Sequence, residues 1–131
     1  TDRLAALLGV VEGPGTLLLV GAVARHAAAL AARVQGVDVV ALDADMARWP
    51  EVPHVSRIAA APGIPVFSRT LRGVAVDGTL GARWLAEAAR VVARLSRVVV
   101  TDAPGDAPAV LAGAGLQVLA DDAGTVVAAR G

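Results

Sequence analysis

Apolar and polar positions alternate in blocks along this chain, and the blocks change period. Thr16–Val20 (TLLLV) is an unbroken apolar run, the pattern of a strand buried on both faces. Val23–Val34 is Ala-rich with Arg25, His26 and Arg33 as its polar positions, which predicts a helix that Gly36 ends. Val37–Leu42 predicts a second buried strand, closed by Asp43. Ahead of these, Leu4, Leu7 and Leu8 share one face of a short leading helix, and Gly13-Pro14-Gly15 predicts a turn after it.

The pattern repeats downstream. Pro50 and Pro53 limit Asp45–Val52 to one or two helical turns, and His54–Ala60 predicts a weaker third strand. A rigid loop over Ala61–Pro65 precedes a fourth strand, Arg72–Val76, which Asp77-Gly78 ends. Leu80–Leu95 is the clearest helical stretch. Leu85, Ala88, Val92 and Leu95 mark its buried face, and Arg83, Glu87, Arg90 and Arg94 its wet face, with Arg83 and Glu87 at i,i+4. Arg97–Thr101 predicts a fifth strand and Ala107–Ala112 a short helix. Leu116–Ala120 and Thr125–Ala129 predict two last strands. Alternating strands and helices imply an α/β fold, a Rossmann-like three-layer sandwich with a mostly parallel sheet. The last two strands are too close in sequence for a parallel crossover, so they predict a C-terminal antiparallel hairpin. The 131 residues suffice for a single domain, with a leading helix within residues 1–12 and a core over 16–130.

Composition narrows the function classes. The chain is 56% hydrophobic, yet no segment approaches the roughly 18 uninterrupted apolar residues of a membrane span. The beginning lacks a charged-then-apolar signal pattern, so a cytoplasmic location is the expectation. Cysteine is absent, which excludes disulfides and thiolate metal sites. Twelve basic residues balance twelve acidic ones, which argues against a broad nucleic-acid footprint; a local patch of Arg57, Arg69 and Arg72 reads first as a solvated surface. All the basic residues are Arg, consistent with GC-rich, bacterial coding. The high apolarity suggests a face buried against a second copy or a protein partner.

The segments LLLVGAVARHAAALAARVQGVDVVALDAD, GIPVFSRTLRGVAVDG, LAEAARVVARLSRVVVTDAP and GLQVLADDAGTVVAAR occur in the order and spacing of a known plan. Together they resemble the class I S-adenosylmethionine-dependent methyltransferases: first strand, cofactor loop and second strand, then fourth strand, main helix with fifth strand, and final hairpin. The resemblance runs from about Thr16 to Arg130 and implies S-adenosylmethionine as cofactor. It places the cofactor at Gly21, Asp43 and Ala44. Gly21 is the first glycine of the family's G-x-G-x-G turn, Asp43 is the acid that accepts hydrogen bonds from the ribose hydroxyls, and the Ala44–Ala47 backbone lies near the adenine. Two features depart from the family. The other loop glycines are Val23 and Arg25, which add bulk and charge where the ligand approaches. The acid after the third strand is replaced by Ala59–Pro62.

Two readings follow from this: a small methyltransferase with a divergent loop, or a methyltransferase-like pseudoenzyme serving as a scaffold or interaction subunit. No side chain is assigned to catalysis. Asp77 follows the fourth strand, where family members place substrate-facing residues, but it also reads as the first residue of an Asp-Gly turn. His26 lies beside the expected pocket, and its plainer reading is an inert surface histidine. His26 and His54 lack metal-ligand spacing. The serines lack a nucleophile elbow, the NAD pattern G-x-G-x-x-G fails at Val23 and His26, and no phosphate-binding G-x-x-x-x-G-K-[ST] loop exists. Trp84 reads as core or interface.

Overall fold

The computed structural model describes residues 2–43, 55–59 and 70–131. Within them the chain runs α1 (Asp2–Leu8), β1 (Glu12–Val20), a 3-10 turn (Gly21–His26), α2 (Ala27–Arg33), β2 (Gln35–Asp43) and β3 (Val55–Ala59). It continues with β4 (Leu71–Asp77), a second 3-10 turn (Gly78–Leu80), α3 (Ala82–Val91), β5 (Val92–Thr101), α4 (Ala107–Gly113), β6 (Leu116–Asp122) and β7 (Thr125–Arg130). The helix expected at Asp45–Val52, the loop at 61–65, and Ala44, Trp49 and His54 lie outside the described residues.

The seven strands form one sheet in the order β3-β2-β1-β4-β5-β7-β6. The first five are parallel; β7 runs antiparallel to both β5 and β6. The predicted hairpin is therefore present. Its loop is Ala123-Gly124, both with positive φ (51° and 81°), the backbone of a type I′ turn.

Side chains alternate between the two faces of the sheet, which is why the apolar runs are unbroken. Leu17 and Leu19 point to one face with Val39, Ala75 and Val99, and pack under Leu4 and Leu8 of α1 and Ala27 and Leu30 of α2. Leu18 and Val20 point to the other with Val74, Val76, Val98 and Val100, beneath Leu85 and Ala88 of α3 and Leu111 of α4. Trp84 is half-buried against this second cluster, in agreement with its core reading. Two arginines tie helix ends to distant strands. Arg97 Nη1 donates to the Leu7 carbonyl (3.4 Å) at the end of α1. Arg130 donates to the Val92 carbonyl (3.1 Å) and to that of Ala89 in the last turn of α3. No helix among the described residues is long and apolar enough to cross a membrane.

Two local expectations need correction. Gly13-Pro14-Gly15 is not the turn that stops the leading helix; it lies inside β1. The helix stops at Gly9, whose N–H closes the last turn onto the Ala5 carbonyl at 3.1 Å and whose φ of 69° then turns the chain away. Gly13 belongs to the strand because β2 passes very close: a Cβ there would sit 2.0 Å from the Gly36 carbonyl oxygen. A register shift between Glu12 and Gly15 absorbs the irregular start. The main helix is also shorter than predicted. α3 ends at Val91 and the chain enters β5 at once, where Val92 pairs with Leu71. Gly73 pairs next with Arg97, so residues 93–96 bulge out of register. Leu95, expected on the buried face, is 78% exposed with a φ of 66°. Adjacent β-branched Val91 and Val92 favour the extended path over another helical turn. On the wet face, Glu87 binds Arg90 one turn on (2.6 Å).

Candidate functional site

In an open parallel sheet the strand order reverses at one place, and the connections on either side leave for opposite faces. The crevice at the carboxyl ends of those strands is where ligands bind. Here the reversal lies between β1 and β4. The connection after β1 leads to α2 on one face, and that after β4 leads to α3 on the other.

Strand register sets the residues on this edge. Val20 pairs with Leu42 on β2 and with Val76 on β4. The next position on each strand is Asp43, Gly21 and Asp77. Asp43 in turn pairs with Ala59 of β3, and Asp77 with Thr101 of β5. The carboxyl edge therefore reads Ala59, Asp43, Gly21, Asp77, Thr101, with one glycine between two acids.

Gly21 is the residue this position demands. Its φ is 82°, and a Cβ would lie 2.9 Å from Asp77 Cβ and 3.0 Å from Leu80 Cδ1. Asp77 is buried at 7% exposure. Its Oδ1 accepts from the Thr79 N–H (2.9 Å) and the Thr79 hydroxyl (2.7 Å), capping the 3-10 turn. Its Oδ2 faces Gly21, 3.5 Å from where a Cβ would stand. The turn reading of Asp77 is thus correct, and the same side chain borders the crevice. Leu80, 40% exposed, stands over Gly21 beside it.

The two substituted loop positions behave differently from a plugged pocket. Val23 is 3% exposed and packs into the core under α1 and α2. Arg25 is exposed, and its Nη1 turns back to the Ala22 carbonyl at 3.4 Å. A Cβ placed on Gly21 would meet the side chains of Asp77 and Leu80, not that of Val23 or Arg25. Ala44 lies outside the described residues, as do Ala60–Pro62.

Beside the crevice, on the α1 side, an open cleft of about 390 Å³ lies between α1, the first 3-10 turn and the ends of β5 and β7. His26 is on its wall, half-buried. Burial holds its pKa below the usual histidine value, and the neighbouring Arg25 charge acts in the same direction. Arg3, Thr101, Asp102 and Thr125 also line this cleft. Sequence reading missed these four. Only Asp102, a polar residue directly after an apolar strand, carried a local signal. Of the expected basic patch, Arg72 Nη1 donates to the Pro14 carbonyl (2.6 Å); Arg69 is outside the described residues.

No family model and no curated protein matches this sequence. Solved structures do. A chain of the complex containing the Haloferax volcanii Trm112 methyltransferase activator superposes with a TM-score of 0.75 at 13% identity, over 98% of this chain and 88% of that one. The TehB-like SAM-dependent methyltransferase of Corynebacterium glutamicum gives 0.70 at 18% identity, over 91% and 83%. The [4+2]-cyclase SpnF gives 0.66 at 19% identity, over 91% of this chain and 58% of that one. The chain has the fold of the class I S-adenosylmethionine-dependent methyltransferases, with their C-terminal antiparallel hairpin.

Proposed function

We propose that this chain binds S-adenosylmethionine in the crevice at the ends of β1, β2 and β4 and acts as a methyltransferase of minimal size. The observation that carries the reading is the edge position of Gly21 between Asp43 and Asp77, at the point where the strand order reverses. The residues present fit the cofactor. A backbone with no side chain and a φ of 82° permits close approach, and an acid in register on the adjacent strand suits a ribose diol. Val23, the β-branched departure from the loop pattern, is withdrawn into the core.

Gly21 and Asp43 would hold the cofactor, with Ala44 near its adenine. When bound, S-adenosylmethionine supplies an electrophilic methyl group on a sulfonium. The chain contributes position: the rigid sheet edge fixes the cofactor, and an acceptor held in line reacts by proximity. Asp77 Oδ2 is placed to accept a hydrogen bond from a donor above Gly21.

A scaffold without turnover is the second reading, and one observation favours it. Asp77 and Leu80 crowd Gly21 closely, which narrows the crevice on the β4 side. Fold alone does not choose between these readings, since a cyclase shares it. A protein partner suits either, as one superposing chain comes from a complex with an activator protein.

Isothermal titration with S-adenosylmethionine and S-adenosylhomocysteine decides. Micromolar binding that Asp43→Ala abolishes supports the cofactor reading. Absence of binding at millimolar ligand sinks it for the chain alone and directs the search to a partner.

A further inference from the structure

The cleft beside the crevice has a chemistry of its own. Its volume of about 390 Å³ falls in the range of roughly 300–1,000 Å³ usual for small-molecule sites. Its charge is one-sided. Arg3 and Arg25 line it with His26 between α1 and the first 3-10 turn, against the single carboxylate of Asp102. The whole chain has no net charge, so this excess is local. Thr101 and Thr125 add hydroxyls able to donate to an anionic oxygen, and half-buried Leu7 beside Leu4 gives the cleft an apolar edge.

The backbone around it includes two left-handed residues, one in the β6–β7 turn and one directly after β5. Three described non-glycine residues have positive φ, and two of them, Asp102 (47°) and Ala123 (51°), line this cleft. Left-handed backbone is unfavourable for most L-residues, Asp less than Ala, and such residues gather at ligand sites. The strained pair is held together, since the Ala103 N–H next to Asp102 donates to the Gly124 carbonyl at 2.8 Å. The cleft also adjoins the crevice. Ala22 in its wall follows Gly21, and Thr101 is the β5 partner of Asp77.

We infer that this cleft holds the methyl acceptor and that the acceptor is a small organic anion, a carboxylate or phosphate ester gripped by Arg3 and Arg25 with its uncharged part against Leu4 and Leu7. A guanidinium pairs with either anion through two parallel N–H donors. The acceptor role rests on the methyltransferase reading above; the anion site does not.

The test titrates citrate and glycerol 3-phosphate into the isotope-labelled chain, with and without saturating S-adenosylhomocysteine, and follows backbone amide shifts. Shifts concentrated at Thr101, Asp102, Gly124 and Thr125 are expected, with the preferred probe showing which anion class the cleft takes. Affinity should fall at least tenfold in the Arg3→Gln/Arg25→Gln double variant, whose remaining spectrum stays native because both side chains are exposed. An unchanged dissociation constant in that variant, or shifts scattered over surface arginines, overturns the site. Mutual displacement of citrate and S-adenosylhomocysteine overturns the acceptor role, since the cleft then belongs to the cofactor. Anion binding at the cleft without any S-adenosylhomocysteine binding upholds the anion site and removes the methyltransferase reading for the chain alone, so the two failures are distinguishable.

Discussion

The carboxyl edge of the sheet is built in two ways within a few residues. At β1 and β4 the crevice is made by backbone. Gly21 has no room for a side chain, and Asp77 is buried and capped onto Thr79. At β5 and β7 the neighbouring cleft is made by side chains that reach in from elements far apart in the sequence, and most of its basic groups are exposed. The crevice is therefore coupled to folding, and the exposed arginines of the cleft are not. Substitutions in the first should cost stability; substitutions in the second should cost ligand.

The sharpest way to break this contrast is Gly21→Val. A β-branched residue at a φ of 82° is a backbone outlier, and its Cβ meets the buried Asp77 side chain at 2.9 Å. Left-handed strain and overpacking together predict a loss of about 3 kcal/mol or more in urea denaturation. Arg25→Gln, only a few residues on in the same turn, should change stability by no more than about 0.5 kcal/mol. Equal losses in the two variants would mean that the crevice is no more built into the fold than the cleft.

Asp77 gives the next largest effect. Asp77→Ala removes the acceptor of both Thr79 bonds and should cost about 1–2 kcal/mol, the range for a lost capping side chain. Asp77→Asn keeps an oxygen for the cap and should restore most of that stability. An Asn variant as unstable as the Ala variant would show that charge, not capping, fixes this side chain.

How much of this was legible follows from the same division. The sheet was readable because its strands are buried on both faces and so appear as apolar runs. The edge positions of Gly21 and Asp43 were readable because each sits at the end of such a run, where register alone sets its place; their role toward a cofactor is the proposal above. Leu95 was misread because helical spacing continues past Val91 while the backbone does not; β-branching, not periodicity, ends that helix. Gly13-Pro14-Gly15 was misread as a turn because the reason for Gly13 is Gly36, a contact across two strands that no local pattern shows. The cleft was invisible for a stronger version of that reason. Arg3 and Thr125 lie near opposite ends of the sequence, and neither carries a motif.

Strain around the cleft offers a gentler probe. Ala123 occupies the first central position of a type I′ turn, where Asn is favoured. Ala123→Asn should raise stability by about 0.5–1 kcal/mol, readable as an upward shift in melting temperature, because Asn tolerates left-handed backbone better. Anion affinity should be little changed if the strain only shapes the cleft wall. No gain in stability would mean that the turn is held by its neighbours at no cost to Ala123.

The smallest effect separates the cleft from the rest by pH. His26 shares the cleft wall with Arg25 on its own turn, Arg3 from α1 and Asp102 from the end of β5. Burial, then cationic neighbours including Arg25, hold its folded pKa below the unfolded value of 6.5. The unfolded chain thus binds the proton more readily, so stability rises with pH between the folded pKa and 6.5. It falls by the same small amount on acidification through that window, and below it this group adds nothing further. His26→Gln should flatten this slope. The same linkage works on the ligand. A bound anion favours the imidazolium, so the His26 ring, followed by proton resonance, should titrate below 6.5 alone and at higher pH with citrate. A titration that citrate leaves unmoved would place the anion away from His26 and confine the cleft's grip to its two arginines.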